Sequence, residues 1–439
     1  MSLDSIGDWH RTHYSVDVKP DMDGNEVTLF GWVQEIRDLG ALRFIILQDR
    51  EGTIQVTVLR KKMDSEVLSK ADALQKRYSI GVKGVVKKTN MTPRGVEVIP
   101  KQIKIFGVAT PQLPIDITGK TPANLEVRLD SRALDLALEE NVAIFKIQHA
   151  AVEAIRGFLF EKGFLEVHTP RIIASATEGG AELFAVNYFG KKAFLAQSPQ
   201  LYKEQLVMSL EKVFEIGPFF RAEESHTRHH MSEFISIDIE EAFANAEDVM
   251  QLLEQLMQQV CRNVSKECEK ELAALNYSVK VPELPFKRFT YDEILKDLKQ
   301  KGVDVPWGED IPTPVFRTLA KLHPYFYYIT KWPTHARAFY TKPRDDNPDL
   351  CEGFDLMWRW IELVSGGTRI ASKELLIKRL EEKGLKPESF KHHLEAFDYG
   401  MPPHAGWAIG LERLTMMLTG KKNIREVTLY PRDKFRLTP

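Results

Sequence analysis

Two arginines stand where the chain changes direction. Arg221 lies in Phe220-Arg221-Ala222-Glu223-Glu224, directly after the apolar stretch Val213–Phe219, and Glu233-Phe234 opens another strand about ten residues later. Arg413 lies in Gly410-Leu411-Glu412-Arg413-Leu414, at a strand-to-helix turn. No GxxxxGK[ST] loop occurs, so a nucleotide would have to be held by an arginine-clamped antiparallel sheet. Taken singly, each candidate has an ordinary structural explanation. Arg221 reads as a surface ion-pair partner and Phe234 as core. Asp355 and Glu362 read as solvated carboxylates, and Lys203 as a surface lysine lying along its helix.

The elements around these residues fall into two groups. Over the first hundred residues, Val27–Val33, Arg43–Gln48, Thr53–Val58, Ile80–Lys87 and Gly95–Ile99 read as short strands, with Ser65–Gln75 helical between the third and fourth. Five strands with a helix after the third suggest an OB-fold barrel. Pro111–Pro122 holds three prolines and little periodicity, which suggests a linker over 111–130 between an OB domain at 1–110 and a catalytic domain at 131–439. In the latter, Val142–Lys162 and Ala246 to about Lys266 read as helices. Ala193–Ala196, Val213–Ile216, Phe234–Phe243 and Ala405–Leu411 read as strands, and Glu412–Leu418 begins a helix. The fold class is therefore α/β (α+β).

Hydrophobic residues make up 43% and charged residues 28% of 439, ordinary for a globular enzyme. No apolar run suits a bilayer, and three cysteines without CxxC spacing suit neither a disulfide framework nor a zinc site, so the cytoplasm is the expected compartment. The net charge of −2 alone argues against a nucleic-acid partner, yet Ile54–Lys104 carries 12 Lys/Arg against 4 Asp/Glu. That stretch is either a phosphate footprint or a solvated basic face, and charge alone favours the latter.

Three ordered motifs carry a resemblance. Gly163-Phe164-Leu165-Glu166-Val167-His168-Thr169-Pro170 resembles motif 1 of class II aminoacyl-tRNA synthetases. The stretch FRAEESHTRHHMSEF resembles motif 2 and GLERL motif 3. TEGGAELF, QSPQLYKE, ELVSGGTR and YGMPPHAG narrow the resemblance to aspartyl-tRNA synthetases of the archaeal/eukaryotic type, over essentially the whole chain. It implies a class II catalytic domain built on an antiparallel sheet flanked by helices, behind an OB-fold anticodon-binding domain. It also implies ATP as a substrate, Mg2+, a homodimer with Pro170 at its centre, and no membrane.

By this resemblance Arg221 holds the α-phosphate and Arg413 the γ-phosphate. Phe234 stacks on adenine, with Arg413 on the opposite face. Glu223 contacts adenine or the tRNA terminus, His230 belongs to the ATP site, and Asp355 and Glu362 are the magnesium carboxylates. One departure stands in the motif 2 loop, where Thr227-Arg228-His229-His230 has His229 at the family's usual arginine.

For the amino acid, the resemblance makes Lys203 and Arg369 the two cations facing the substrate side-chain carboxylate. Asparaginyl enzymes carry the arginine but lack this lysine. Glu178, Gln200 and Asp238 meet the α-amino group, Ser198 and Ser365 complete the aspartate site, and His404 closes over the substrate. Phe44, Gln55 and Glu97 match positions that contact anticodon bases. The partners implied are L-aspartate and tRNA(Asp), with tRNA(Asn) added by Gln34 and Pro93. These replace a Trp and a Lys that strict archaeal-type enzymes place against the third anticodon base. Alternatives are an asparaginyl enzyme, a non-catalytic tRNA-binding paralogue, and an asparagine synthetase. The OB domain speaks against the last.

Overall fold

The computed structural model describes residues 3–174, 183–222 and 230–439. The chain divides into two compact units, Met1–Glu139 and Glu140–Pro439.

In the first unit, β1 (Glu26–Asp38), β2 (Leu42–Gln48), β3 (Thr53–Leu59), β4 (Ser79–Lys88) and β5 (Val96–Gly107) close a barrel in the order β1-β2-β3-β5-β4, with helix α1 (Ser65–Ala73) between β3 and β4. Period-two alternation builds it: Ile45, Leu47, Ile54, Val56, Val96 and Val98 point into one buried core. The alternate positions Phe44, Gln55, Thr57 and Glu97 are left on the outer face. β5 runs past the expected end at Ile99 to Gly107. Pro100 reads as a strand terminator, but a register shift between Lys83 and Gly84 absorbs it. Residues 111–130 are not bare linker: Ile115 and Ile117 are buried, and Leu125–Asp130 is a helix capped by the Asn124 side chain.

In the second unit, helix α2 (Glu139–Glu161) leads into β6 (Leu165–Glu166). A small sheet follows of β7 (Ile172–Ile173), β8 (Ala185–Tyr188) and β9 (Lys191–Leu195). Next come α3 (Gln200–Leu210), β10 (Lys212–Phe220), β11 (Glu233–Ala242) and α4 (Ala246–Glu267). The remaining strands are β12 (Lys287–Thr290), β13 (Phe326–Thr330), β14 (Gly353–Trp358), β15 (Ile361–Thr368) and β16 (His404–Gly410), with α5 (Leu411–Thr419) after them. Among the described residues, eight strands form one sheet in the order β12-β13-β14-β15-β16-β11-β10-β6.

The sheet's two faces have opposite chemistry. Ile237, Ile239, Trp407, Ile409, Val364, Phe354 and Leu356 pack with Val249, Leu253 and Met257 of α4 in the main core. Each such side chain contributes roughly 1.5–3 kcal/mol on burial, so this face anchors the sheet. The other face carries Ser236, Asp238, Glu240, Gly406, Ala408, Gly410, Ser365 and Gly367. Here the glycines keep strands close. A Cβ at Gly406 would overlap the Ile239 carbonyl and the Glu240 carboxylate. Gly406→Ala should therefore destabilise this unit by about 1–3 kcal/mol, read as a lowered urea midpoint. An unchanged midpoint would show that the strands have slack.

Candidate active site

Strand register assembles the site. Asp238 of β11 pairs with Ala408 of β16, Ala408 with Ser365 of β15, and Ser365 with Asp355 of β14. Two residues along, Glu240, Gly406, Gly367 and Gly353 form a parallel row. Ala and Gly at the middle positions leave a hollow between charged walls. The resulting cavity of about 420 Å³ is lined by Arg221, Phe234, Asp238, Glu362, Arg369 and Arg413, among others.

One end of the cavity rests on a buried charge cluster. Helix α3 turns Gln200, Lys203 and Glu204, spaced i, i+3, i+4, toward the sheet. Lys203 Nζ lies 3.1 Å from Asp238 Oδ1, 3.2 Å from the Ile239 carbonyl and 3.4 Å from Glu240 Oε2. Arg369 Nε donates to Glu240 Oε1 at 2.9 Å. All four charged side chains are buried. Charges this dry survive only as a set, because removing one leaves its partners uncompensated. Asp238 Oδ2 has no hydrogen-bond partner, so the cluster retains an open acceptor.

Beneath Gln200 sits Glu204, whose Oε2 lies 3.2 Å from His393 Nε2 and 3.7 Å from His404 Nε2. Burial opposes its charge, but the two histidines override that and hold the carboxyl below the usual range. His404 Nδ1 faces the Pro402 carbonyl at 2.8 Å and so carries a proton. Burial disfavours the imidazolium, yet the Glu204 and Glu240 carboxylates leave the His404 pKa raised. The expectation that His404 closes over the substrate is corrected here: it is fully buried, packed behind the wall against Glu204.

The other end is built by Arg221, His230, Phe234 and Arg413, which line the same cavity as Ser198, Gln200 and Ser365. Arg221 lies over the Phe234 ring, its guanidinium carbon 5.2 Å from the centroid. Arg413 Nη1 donates to the Glu362 carbonyl at 2.9 Å and lies 3.8 Å from the Glu362 carboxylate. Asp355 is buried and paired with Arg337. Burial pushes its carboxyl up to about 7, with Arg337 opposing and the Glu362 charge adding to the rise. Asp355 Oδ1 has no hydrogen-bond partner. An orphaned carboxylate oxygen beside a second carboxylate fits a hard divalent cation. Among the described residues no group of three or more His, Cys, Asp or Glu could hold a metal, so the rest of a cation's shell would come from ligand oxygens or water. Glu178 and Glu223, with Arg228 and His229, lie outside the described residues.

On the barrel, Gln55 Nε2 and Thr57 Oγ1 donate to Glu97 Oε2 at 3.0 and 2.5 Å, and half-buried Phe44 sits opposite Thr57. Gln34 falls at the β1 register shift between Val33 and Glu35. Pro93 is exposed. Its neighbour Arg94 donates to the carbonyls of Ser15, Val16, Val18 and Thr53, so it anchors this loop.

Sequence reasoning missed Glu240, Glu204, His393, Arg337 and Glu412. Glu240 was within reach, since it lies two residues after Asp238 on one strand and so shares its face.

An OB barrel followed by an antiparallel sheet with an arginine at each edge of a polar hollow defines a class II aminoacyl-tRNA synthetase architecture. Residues 124–434 match the tRNA synthetases class II (D, K and N), and the chain belongs to this family. Residues 27–106 match the OB-fold nucleic acid binding domain. The chain is 49% identical over 427 residues to the Aspartate--tRNA(Asp/Asn) ligase of Archaeoglobus fulgidus, covering 97% of this chain and 99% of that one. It is 51% identical over 428 residues to the protein of the same name from Methanopyrus kandleri, with the same coverage. Among solved structures, asparaginyl-tRNA synthetase from Pyrococcus horikoshii complexed with asparaginyl-adenylate superposes with a TM-score of 0.93 at 32% identity, covering 98% of this chain and 100% of that one. Aspartyl tRNA synthetase from Entamoeba histolytica gives 0.86 at 31% identity, covering 100% and 96%.

Glu412 holds the strand that carries Phe234, accepting from the Ile235 amide at 3.0 Å. Burial pushes its carboxyl from 4.5 up to about 7 despite that bond. A raised carboxyl stabilises the fold fully below about pH 4.5, and that contribution is lost as pH climbs through 7. Glu412→Gln keeps an acceptor but does not titrate. The stability difference between variant and parent should therefore shift in the variant's favour by up to about 3 kcal/mol between pH 4.5 and 8 in urea titrations. Parallel pH profiles would contradict it.

Proposed function

We propose that the chain is an aspartate–tRNA ligase. It makes aspartyl-adenylate from ATP and L-aspartate, then transfers the aspartyl group to tRNA(Asp) and to tRNA(Asn). The buried cluster of Lys203, Arg369, Asp238 and Glu240 carries this reading. Its cations suit a side-chain carboxylate, and its open acceptor at Asp238 suits an α-ammonium. The relatives at 49% and 51% identity bear this activity in their names. An asparaginyl activity fits less well, because the N–H groups of a neutral amide would meet Lys203 and Arg369, which offer only donors.

In the activation step an oxygen of the substrate α-carboxylate attacks the α-phosphorus of ATP, and diphosphate leaves with the electrons of the broken P–O bond. Negative charge builds on the α-phosphate oxygens, where Arg221 donates most strongly in the transition state. Arg413 holds the γ-phosphate and His230 the adjoining nucleotide. Phe234 stacks on adenine, for which Arg221 moves off the ring it covers here. Glu223 meets adenine or the tRNA terminus, and Glu178, Gln200, Ser198 and Ser365 complete the aspartate site. Asp355 and Glu362 hold Mg2+, which neutralises phosphate charge when bound. In the second step a terminal ribose hydroxyl of tRNA attacks the aspartyl carbonyl and AMP leaves.

The barrel at 1–110 takes the anticodon, with Phe44 stacking and Gln55 and Glu97 reading base edges. Residues 111–130 join it to the catalytic domain at 131–439. The protein acts as a cytoplasmic homodimer through motif 1, and among the described residues no helix is long and apolar enough to cross a membrane.

Two outcomes test this reading. Lys203→Leu should cut aspartate-dependent ATP–diphosphate exchange at least about a hundredfold while ATP binding persists. Normal exchange would mean the pocket is wrongly assigned. The aspartate and asparagine anticodons differ at the third base, C against U. With Gln34 and Pro93 at the positions meeting it, charging of the two unmodified tRNAs with aspartate should differ by less than about tenfold, since one contact is worth about 1–3 kcal/mol. A preference above about a hundredfold would mean that other residues discriminate.

A further inference from the structure

Glu204 touches no part of the cavity, yet it is fully buried one helical turn after Gln200, which does line it. Gln200 Nε2 lies 2.6 Å from Glu204 Oε1 and 3.3 Å from Glu240 Oε2. A glutamine side chain has two different ends, and its neighbours decide which way they face. Carboxylates only accept. Glu240 accepts from Arg369 Nε at 2.9 Å and lies 3.4 Å from Lys203 Nζ. Glu204 is ionised by His393 Nε2 at 3.2 Å and by His404, whose Nδ1 is engaged by Pro402. Two acceptors on one side oblige the amide to direct its N–H groups inward. Its oxygen is thereby left for the cavity.

We infer that Glu204 is a positioning residue for the amino-acid pocket: it locks the Gln200 amide with its carbonyl oxygen toward the substrate, where it accepts a hydrogen bond from the α-ammonium. The inference deepens the aspartate-activating reading and rests on it. The chemistry is directional. With Glu204 present, the flipped amide would set its oxygen against two carboxylates and aim an N–H at a cation, so one orientation prevails. With a neutral amide at 204, a donor becomes available on the inner side, and the Gln200 oxygen can turn away from the cavity. Glu204 thus acts on one end of the substrate. The cations at the side-chain carboxylate end, Lys203 and Arg369, form their ion pairs with Asp238 and Glu240, so replacing Glu204 leaves those pairs in place.

That asymmetry gives the test. Succinate is aspartate without its amino group and should compete for the pocket without using the Gln200 oxygen. In the full-length protein, Glu204→Gln should raise the aspartate KM in ATP–diphosphate exchange at least tenfold. The KM for ATP, kcat at saturating aspartate, and the inhibition constant of succinate should each stay within about threefold. Gln200→Ala should show the same split, and adding Glu204→Gln to it should raise the aspartate KM no further. Equal weakening of aspartate and succinate by either variant would overturn the inference and assign Glu204 to pocket shape. If Glu204→Gln does not fold, Gln200→Ala still decides: an unchanged aspartate KM overturns the proposal. Failure of the parent protein to support exchange with aspartate would sink the aspartate-activating reading instead.

Discussion

The catalytic unit depends on a balance of buried charge. Lys203 and Arg369 enter from a helix and from the end of a strand, while Asp238 and Glu240 stand two apart on a neighbouring strand. None of them reaches water in appreciable measure, so none is tolerable alone. Each fixes the others, and together they fix a pocket before any ligand arrives. Donors and acceptors are thereby held in place, with little left to reorganise.

The sheet makes that balance possible by separating its two tasks. One face, through Trp407, Ile409, Ile237 and Ile239, supplies the apolar burial that keeps the unit folded. The opposite face is thereby free to hold carboxylates and glycines that stabilise nothing by themselves. Gly406 and Gly367 sit where side chains would fill the hollow, and the register carries Asp238 into one row with Ser365 and Asp355. The other end of the cavity is held in a similar way. Glu412 ties the start of β11 in place through the Ile235 amide, and Arg413, the next residue, faces the cavity.

Much of this was legible in the sequence, for identifiable reasons. The barrel strands alternate cleanly, as at Thr53–Leu59, and helix 246–267 has a strong apolar stripe behind an Asn245 cap. Strands β14 and β15 escape such a reading because both faces are largely buried, so no clean alternation marks them, and Pro100 hides the second half of β5. At the site, ordered motifs gave Arg221, Lys203, Arg369 and Arg413. Motifs cannot reveal partners brought from afar, such as Glu240 at 129 residues from Arg369, or His393 against Glu204. From its motif His404 reads as a residue closing over the substrate, whereas its place behind the wall depends on how β16 pairs with its neighbours.

The central claim is that the donors fixed at Lys203 and Arg369 select a second carboxylate. The most direct measurement compares L-aspartate and L-asparagine, which are nearly isosteric, in ATP–diphosphate exchange with the unaltered protein. Aspartate should support exchange with a kcat/KM at least about a hundredfold above that for asparagine, because an amide presents N–H donors where Lys203 and Arg369 also donate, while a carboxylate accepts at both oxygens. Comparable exchange with the two amino acids, or a preference for asparagine, would contradict the account.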